Sequence, residues 1–164
     1  MNIILDIDYT LIDSHGYDLT ERPYLEEFLY YVFSRFKNVS IWTAGSVEWF
    51  NYVNKKIFSK YLKDEKFHHV WTFNNCKIIY GSYGSQEIIK PLNSIYDNEY
   101  NNFNTIIIDD TEFTFSENIL NAIHIKNFFL ENDKDDELMG IISLIENKIT
   151  EINDLNNGQI DFKK

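Results

Sequence analysis

The sequence predicts an α/β fold, a parallel sheet with helices on both faces and a small β insertion. Three observations carry that prediction. Short apolar runs alternate with longer amphipathic stretches, the pattern of a sheet that must be covered on both sides. The runs are rich in Ile and Leu, so they read as buried strands. Three of them also end in acidic or hydroxyl residues, which an open parallel sheet delivers to the edge where ligands bind.

Taken in order, Asn2–Ile7 reads as the first buried strand, closing on carboxylates. Asp13–Thr20, with Ser, His, Gly and Asp, reads as a loop. Glu21-Arg22-Pro23 opens a helix, with Pro23 in its first turn and Thr20 or Glu21 as cap. Leu25, Phe28, Leu29, Val32 and Phe36 follow at helical spacing as its buried face. Val39–Trp42 is a second strand, ended by Thr43-Ala44-Gly45-Ser46. A second helix runs from about Val47 to Tyr61, with Trp49, Phe50, Val53 and Phe58 among its apolar residues. Lys63–Gln86 reads as a hairpin-like insertion: Val70–Phe73 and Lys77–Tyr80 are broken by Asn74-Asn75, Gly81 and Gly84. Thr105–Ile108 is a clean strand ending in Asp109-Asp110, Ala122–Ile125 another, and Leu138–Ile152 a closing amphipathic helix. Asn153–Lys164 is polar and expected to fray. Residues 1–164 read as one domain, with no repeat or linker to mark a second.

Composition narrows the function classes. Lys and Arg total 15 against 26 Asp and Glu, a formal net charge of −11. Such a field repels a nucleic-acid backbone, and any phosphate site must be locally positive. A single cysteine, Cys76, excludes an internal disulfide and fits a reducing compartment. No apolar run reaches membrane-spanning length, and the start shows no basic region or cleavage site. The expectation is a soluble intracellular protein, cytoplasmic or nuclear, and monomeric.

Asp6-Ile7-Asp8 places two carboxylates two residues apart, pointing the same way in extended chain. Like charges that close need a proton or a cation. Magnesium fits, because it takes oxygen from one or two carboxylates plus substrate phosphate. Asp109-Asp110 would complete the cage. Either pair alone reads equally well as turn-forming residues after a strand, but two pairs at strand ends favour the cation. Thr43, before a helix, offers a hydroxyl and nearby backbone N–H groups. Lys90 offers a point charge for a phosphoryl oxygen.

Asp-Ile-Asp-Tyr-Thr at 6–10 resembles the first motif of the haloacid-dehalogenase superfamily. Thr43 within Ile41-Trp42-Thr43-Ala44-Gly45 is similar to its second motif, Lys90 to its third and Asp109-Asp110 to its fourth. The flanks resemble one branch, the phosphatases of the RNA polymerase II C-terminal domain (CTD) and their small relatives. They include Arg22-Pro23 with Glu27-Phe28-Leu29, Lys90-Pro91-Leu92, Ile107-Ile108-Asp109-Asp110-Thr111, Asn118, Asn121-Ala122-Ile123-His124-Ile125 and Asp136-Glu137-Leu138. The chain departs from that branch in a very short flap at Asp13–Thr20, in Tyr9, and in Asp110 where the small relatives carry Asn.

The resemblance implies a Rossmann-like core without a large cap domain and a magnesium-dependent phosphatase. In that scheme Asp6 is the nucleophile that becomes an aspartyl-phosphate, and Asp8 is the acid and base. The metal ligands are Asp6, the Asp8 backbone carbonyl, Asp110 and Asp109 through water. Thr43, Ala44 and Lys90 hold phosphate, and Thr10 braces the loop. The expected substrate is a phosphorylated protein or peptide. Alternatives are a small-molecule or polynucleotide-end phosphatase, or a non-catalytic binding module on the same fold.

Around the insertion, Trp71, Phe73, Ile79, Tyr80 and Tyr83 either line an apolar substrate pocket or pack onto the core. Lys55, Lys56, Lys60, Lys63, Lys66 and Lys77 form either a positive rim or a solvated face. His68 and His69, adjacent in a strand, would point to opposite sides and share no metal. Asp133, Asp135 and Asp136 read as caps of the last helix, and His124 and Cys76 as structural.

Overall fold

The computed structural model of the chain describes residues 1–16, 18–80, 84–132 and 134–158. Along the chain run β1 (Asn2–Leu5), β2 (Ile12–Asp13), β3 (Thr20–Glu21), α1 (Leu25–Arg35), β4 (Asn38–Trp42) and α2 (Val47–Val53). A π-helical turn, Asn54–Phe58, joins α2 to α3 (Ser59–Leu62). Then come β5 (Val70–Trp71), β6 (Lys77–Tyr80), β7 (Gln86–Ile89), β8 (Thr105–Asp109), β9 (Ala122–His124) and α4 (Glu137–Asn156).

The main sheet has the order β5-β4-β1-β8-β9, and every pairing in it is parallel. All four residues of β1 and all five of β4 and β8 are buried, which is why those runs lack an exposed polar face. Alternation divides their side chains. Ile3, Leu5, Val39, Ile41, Ile106 and Ile108 join the cluster built with α1, the α2–α3 segment and α4. Ile4, Trp42 and Ile107 face the other way, onto Leu92, Tyr100 and Phe115. Helices thus cover both faces: α-helices on one, and on the other the 3₁₀ turns Leu92–Ile95 and Glu112–Phe115. Truncating a buried Leu or Ile here to Ala costs about 2–5 kcal/mol.

Several boundaries differ from the sequence reading. The stretch read as a loop is bounded by a small antiparallel ladder, because Ile12 and Asp13 pair with Glu21 and Thr20. Thr20 and Glu21 are therefore strand residues rather than caps. Helix α1 starts only after Pro23, and Tyr24 at its N-cap has φ 65° and makes no side-chain cap. Val70–Trp71 does not pair with Lys77–Tyr80. It joins the main sheet beside β4, and Lys77–Tyr80 pairs antiparallel with Gln86–Ile89. A two-residue strand is too short to show which partner it takes; the backbone ladder to Ile41 and Trp42 decides it. The last helix runs four residues past Ile152 to Asn156, through a stretch expected to be frayed. Gly81, Tyr83 and Asp133, and the end of the chain from residue 159, lie outside the described residues.

Candidate active site

Strands β4, β1 and β8 are neighbours, and each carries functional groups just past its carboxyl end. Leu5 is in register with Ile41 on one side and Ile108 on the other. One step further, the Asp6 N–H still donates to the Ile108 carbonyl at 3.0 Å, which brings Asp6 beside Asp109. The parallel ladder thereby turns three distant segments into one site.

Asp6, Asp109 and Asp110 are buried, and their carboxylates offer oxygens within 4.8 Å of one another. Lys90 follows β7 directly and is 1% exposed. Its ammonium donates to Asp6 Oδ1 at 2.5 Å and to Asp109 Oδ2 at 2.6 Å. The backbone around it is fixed: Lys90 N donates to the Thr114 carbonyl, and Asn118 Nδ2 donates to the Lys90 carbonyl. Burial pushes the Asp6 carboxyl well above the usual carboxylate range; Lys90 opposes this, while Asp109 and Asp110 add to it. Burial raises Asp110 in the same way, with the Asp109 charge reinforcing it. Burial alone would lower the Lys90 ammonium, but Asp6 and Asp109 outweigh it and hold the group charged.

Asp110 Oδ1 accepts from Thr10 Oγ1 at 3.0 Å, and its Oδ2 accepts from Asn127 Nδ2 at 2.9 Å. Thr10 Oγ1 in turn accepts from the Asp110 N–H at 3.1 Å, so Thr10 ties the loop after β1 to the end of β8. Tyr9 lies at φ 60°, a left-handed conformation uncommon for a bulky residue. Its N–H donates to the Ile12 carbonyl, and its carbonyl accepts from Phe128 N, both at 2.7 Å. That turn of the backbone separates Asp8 from Thr10.

Asp8 is half-buried and stands apart from the lysine. Its Oδ2 accepts from Trp49 Nε1 at 3.1 Å and from Thr43 Oγ1 at 3.4 Å. Thr43 is buried, and its hydroxyl accepts from the Gly45 N–H at 2.9 Å. Ala44, next in the chain, is exposed. A Cβ on Gly45 would sit 2.3 Å from Trp49 Cδ1, so glycine is what lets the indole reach Asp8.

Beneath the loop lies Arg22, 1% exposed. Its guanidinium meets Asp135 in a two-pronged contact and also donates to the carbonyls of Thr10 and Lys126 at 2.8 Å. Sequence reasoning assigned no role to Trp49, Asn127 or the Arg22–Asp135 pair. Arg22 was visible only as a flank of Pro23, and Trp49 only as an apolar helical residue. Asp135 still accepts from Glu137 N at 3.3 Å, but Asp136, at the N-cap itself, makes no side-chain cap.

Other expectations change. His68 and His69 precede β5, so strand alternation does not separate them, and their rings lie 4.3 Å apart. Of the aromatics read as either pocket lining or core packing, Trp71 packs against Trp42 and Tyr100, whereas Phe73 and Tyr80 are exposed. Lys60 pairs with Glu21 and Lys77 with Glu117, so part of the lysine charge is neutralised locally. His124 Nε2 lies 2.8 Å from the Asp110 carbonyl. Burial raises the Cys76 thiol, away from reactive thiolate character.

Comparison with known proteins places the chain in a family. A family model described as NLI interacting factor-like phosphatase matches residues 1–156. CTD phosphatase-like protein 355R of invertebrate iridescent virus 6 is 31% identical over 170 residues, covering 84% of this chain and 93% of that protein. Ubiquitin-like domain-containing CTD phosphatase 1 of Xenopus tropicalis is 31% identical over 175 residues, covering 93% of this chain. The chain spans only 51% of that second relative's length. The structure of fission yeast RNA polymerase II CTD phosphatase Fcp1 bound to beryllium fluoride superposes with a TM-score of 0.53 at 16% identity. That alignment covers 93% of this chain and 50% of Fcp1, a likeness of fold. No described helix is long and apolar enough to cross a membrane. The match over nearly the whole chain identifies it as a member of the NLI interacting factor-like phosphatase family, phosphoric monoester hydrolases of the CTD-phosphatase type.

Proposed function

We propose that the chain is a magnesium-dependent protein phosphatase that removes phosphate from phosphoserine or phosphothreonine by way of a phosphorylated Asp6. The observation that carries this reading is the clustering of the Asp6, Asp109 and Asp110 carboxylates, with the buried Lys90 ammonium bonded to Asp6 and Asp109. Three carboxylates against one ammonium leave the cluster net negative, a set of hard oxygens that suits a hard divalent cation. Asp6 and Asp110 would hold the ion, with the Asp8 carbonyl and Asp109 completing its surroundings. When bound, Mg²⁺ supplies positive charge that eases the approach of an anionic phosphate to an anionic nucleophile.

The protein groups divide the remaining work. An Asp6 carboxylate oxygen attacks phosphorus, the new P–O bond forms, and the bond to the seryl oxygen breaks. Asp8, protonated, gives its proton to the departing alkoxide. It then takes one from the water that attacks the phospho-aspartate, so that phosphate leaves and both groups return to their starting states. Trp49 and Thr43 hold the Asp8 carboxylate in place through this exchange. Lys90 and the Thr43–Ala44 turn face the equatorial oxygens, and Thr10 braces Asp110.

The substrate assignment follows the names of the relatives, one a CTD phosphatase-like protein and the other a CTD phosphatase. The proposed workplace is the cytoplasm or nucleus, where Cys76 stays reduced. The test is phosphate release from phosphoserine peptides and from small phosphates, with Mg²⁺ and with chelator. Turnover of the peptides that stops on chelation supports the reading. Asp6→Asn should lower the rate at least ~10³-fold with the fold intact; near-normal activity in that variant would remove Asp6 as the nucleophile.

A further inference from the structure

We propose that His68, His69 and Glu99 form a second metal site, separate from the carboxylate cluster at Asp6, that takes a zinc-class transition ion. The three side chains offer one ligand atom each, all within 4.8 Å of one another. His68 Nε2 lies 3.2 Å from Glu99 Oε2. Two ligands on a tetrahedral ion with bonds of about 2.0–2.1 Å stand about 3.3–3.4 Å apart. That pair is already at the spacing a bound zinc requires.

Surrounding contacts orient the ligands. His68 Nδ1 lies 2.9 Å from the Tyr100 hydroxyl, which lies 2.8 Å from Ser40 Oγ. Both Tyr100 and Ser40 are fully buried. A proton on His68 Nδ1, donated to the Tyr100 oxygen, leaves Nε2 with its lone pair toward Glu99; such a relay behind an imidazole fixes the ligating tautomer. Ser40 Oγ also accepts from the His69 N–H at 3.1 Å, so one buried hydroxyl positions both histidines. Lys37 Nζ, 3.3 Å from Glu99 Oε1, engages the other carboxylate oxygen. Both imidazoles are exposed, which provides an entry path and a fourth position for water.

Ligand chemistry separates the two sites. Imidazole nitrogen favours zinc, nickel or copper, whereas magnesium is held by oxygen. A bridging ion would also join the start of the edge strand β5 to the segment carrying Glu99. That segment is tied to β1, because Asn2 Nδ2 donates to the Glu99 carbonyl at 2.6 Å.

The experiment titrates Zn²⁺ into the full chain in excess Mg²⁺ by calorimetry and follows the thermal midpoint. The wild-type protein should take up one equivalent at micromolar affinity and melt at a higher temperature with Zn²⁺. His69→Gln and Glu99→Gln should each weaken binding at least ~10-fold and remove the thermal gain. Co²⁺ should give the visible bands of a four-coordinate nitrogen–oxygen site in wild type only. No Zn²⁺ uptake overturns the proposal, as does an equivalent retained in both variants and lost in Asp110→Asn.

Discussion

Arg22 and Asp135, 113 residues apart in sequence, meet through two hydrogen bonds of 2.8 and 2.9 Å. The same guanidinium donates to the Thr10 carbonyl, so this ion pair holds the loop that carries Asp8. Both side chains are almost fully buried. Removing one partner from such a pair strands a charge in the interior, at a cost of about 3–5 kcal/mol. Arg22→Met should therefore lower the urea unfolding free energy by that amount, and adding Asp135→Leu should recover a large part of it. A loss below ~1 kcal/mol in the single variant would show that the pair contributes little.

Trp49 acts on Asp8 through one N–H, so Trp49→Phe keeps the ring and deletes the donor. A less well oriented Asp8 should slow proton delivery, lowering kcat about 10-fold for a phosphoserine peptide with KM nearly unchanged. An aryl phosphate, whose leaving group needs no proton, should lose much less. Equal losses on both substrates would assign Trp49 a purely structural role.

Gly45→Ala tests the same contact from the other side, since the added methyl would overlap the indole. The expected result is the leaving-group-dependent loss of Trp49→Phe together with about 1–3 kcal/mol of destabilisation from overpacking. A crystal structure of the variant with Trp49 unmoved would contradict it.

The pH dependence of stability can be read at Asp110. Its folded carboxyl is raised above its ordinary value, so the native state holds a proton that the unfolded chain has already released. Stability from this group is therefore greatest below the ordinary carboxylate pKa of about 4 and falls as pH rises through the raised folded value. Asp110→Asn should stabilise the metal-free protein at neutral pH, and the gain should vanish on titration toward pH ~4. Mg²⁺ should raise the melting temperature of wild type and leave this variant unmoved. A constant gain at every pH would mean that charge is not the cause.

What the sequence made legible was the part written in continuous runs. Asn2–Leu5, Asn38–Trp42 and Thr105–Asp109 are buried on both faces, and their apolar composition marks them before any contact is known. The residues that follow them, Asp6, Thr43 and Asp110, then fall at one edge by topology alone. Illegible were features decided by partners far along the chain. The pairing of Val70–Trp71 with β4, the Arg22–Asp135 clamp and the Asn127 contact to Asp110 depend on long-range geometry that local periodicity does not encode. His68 and His69 were misread because alternation was applied where no strand exists.

Ile89 is both the last residue of the β6–β7 hairpin and the immediate neighbour of Lys90. The hairpin is also held at its base, since Lys90 N is bonded to Thr114 and Lys77 is paired with Glu117. An outward-facing ribbon and an interior cation therefore share one continuous stretch of chain. The ribbon's exposed Ile78 and Tyr80 stand on the same paired hairpin whose last residue adjoins the lysine of the buried ammonium.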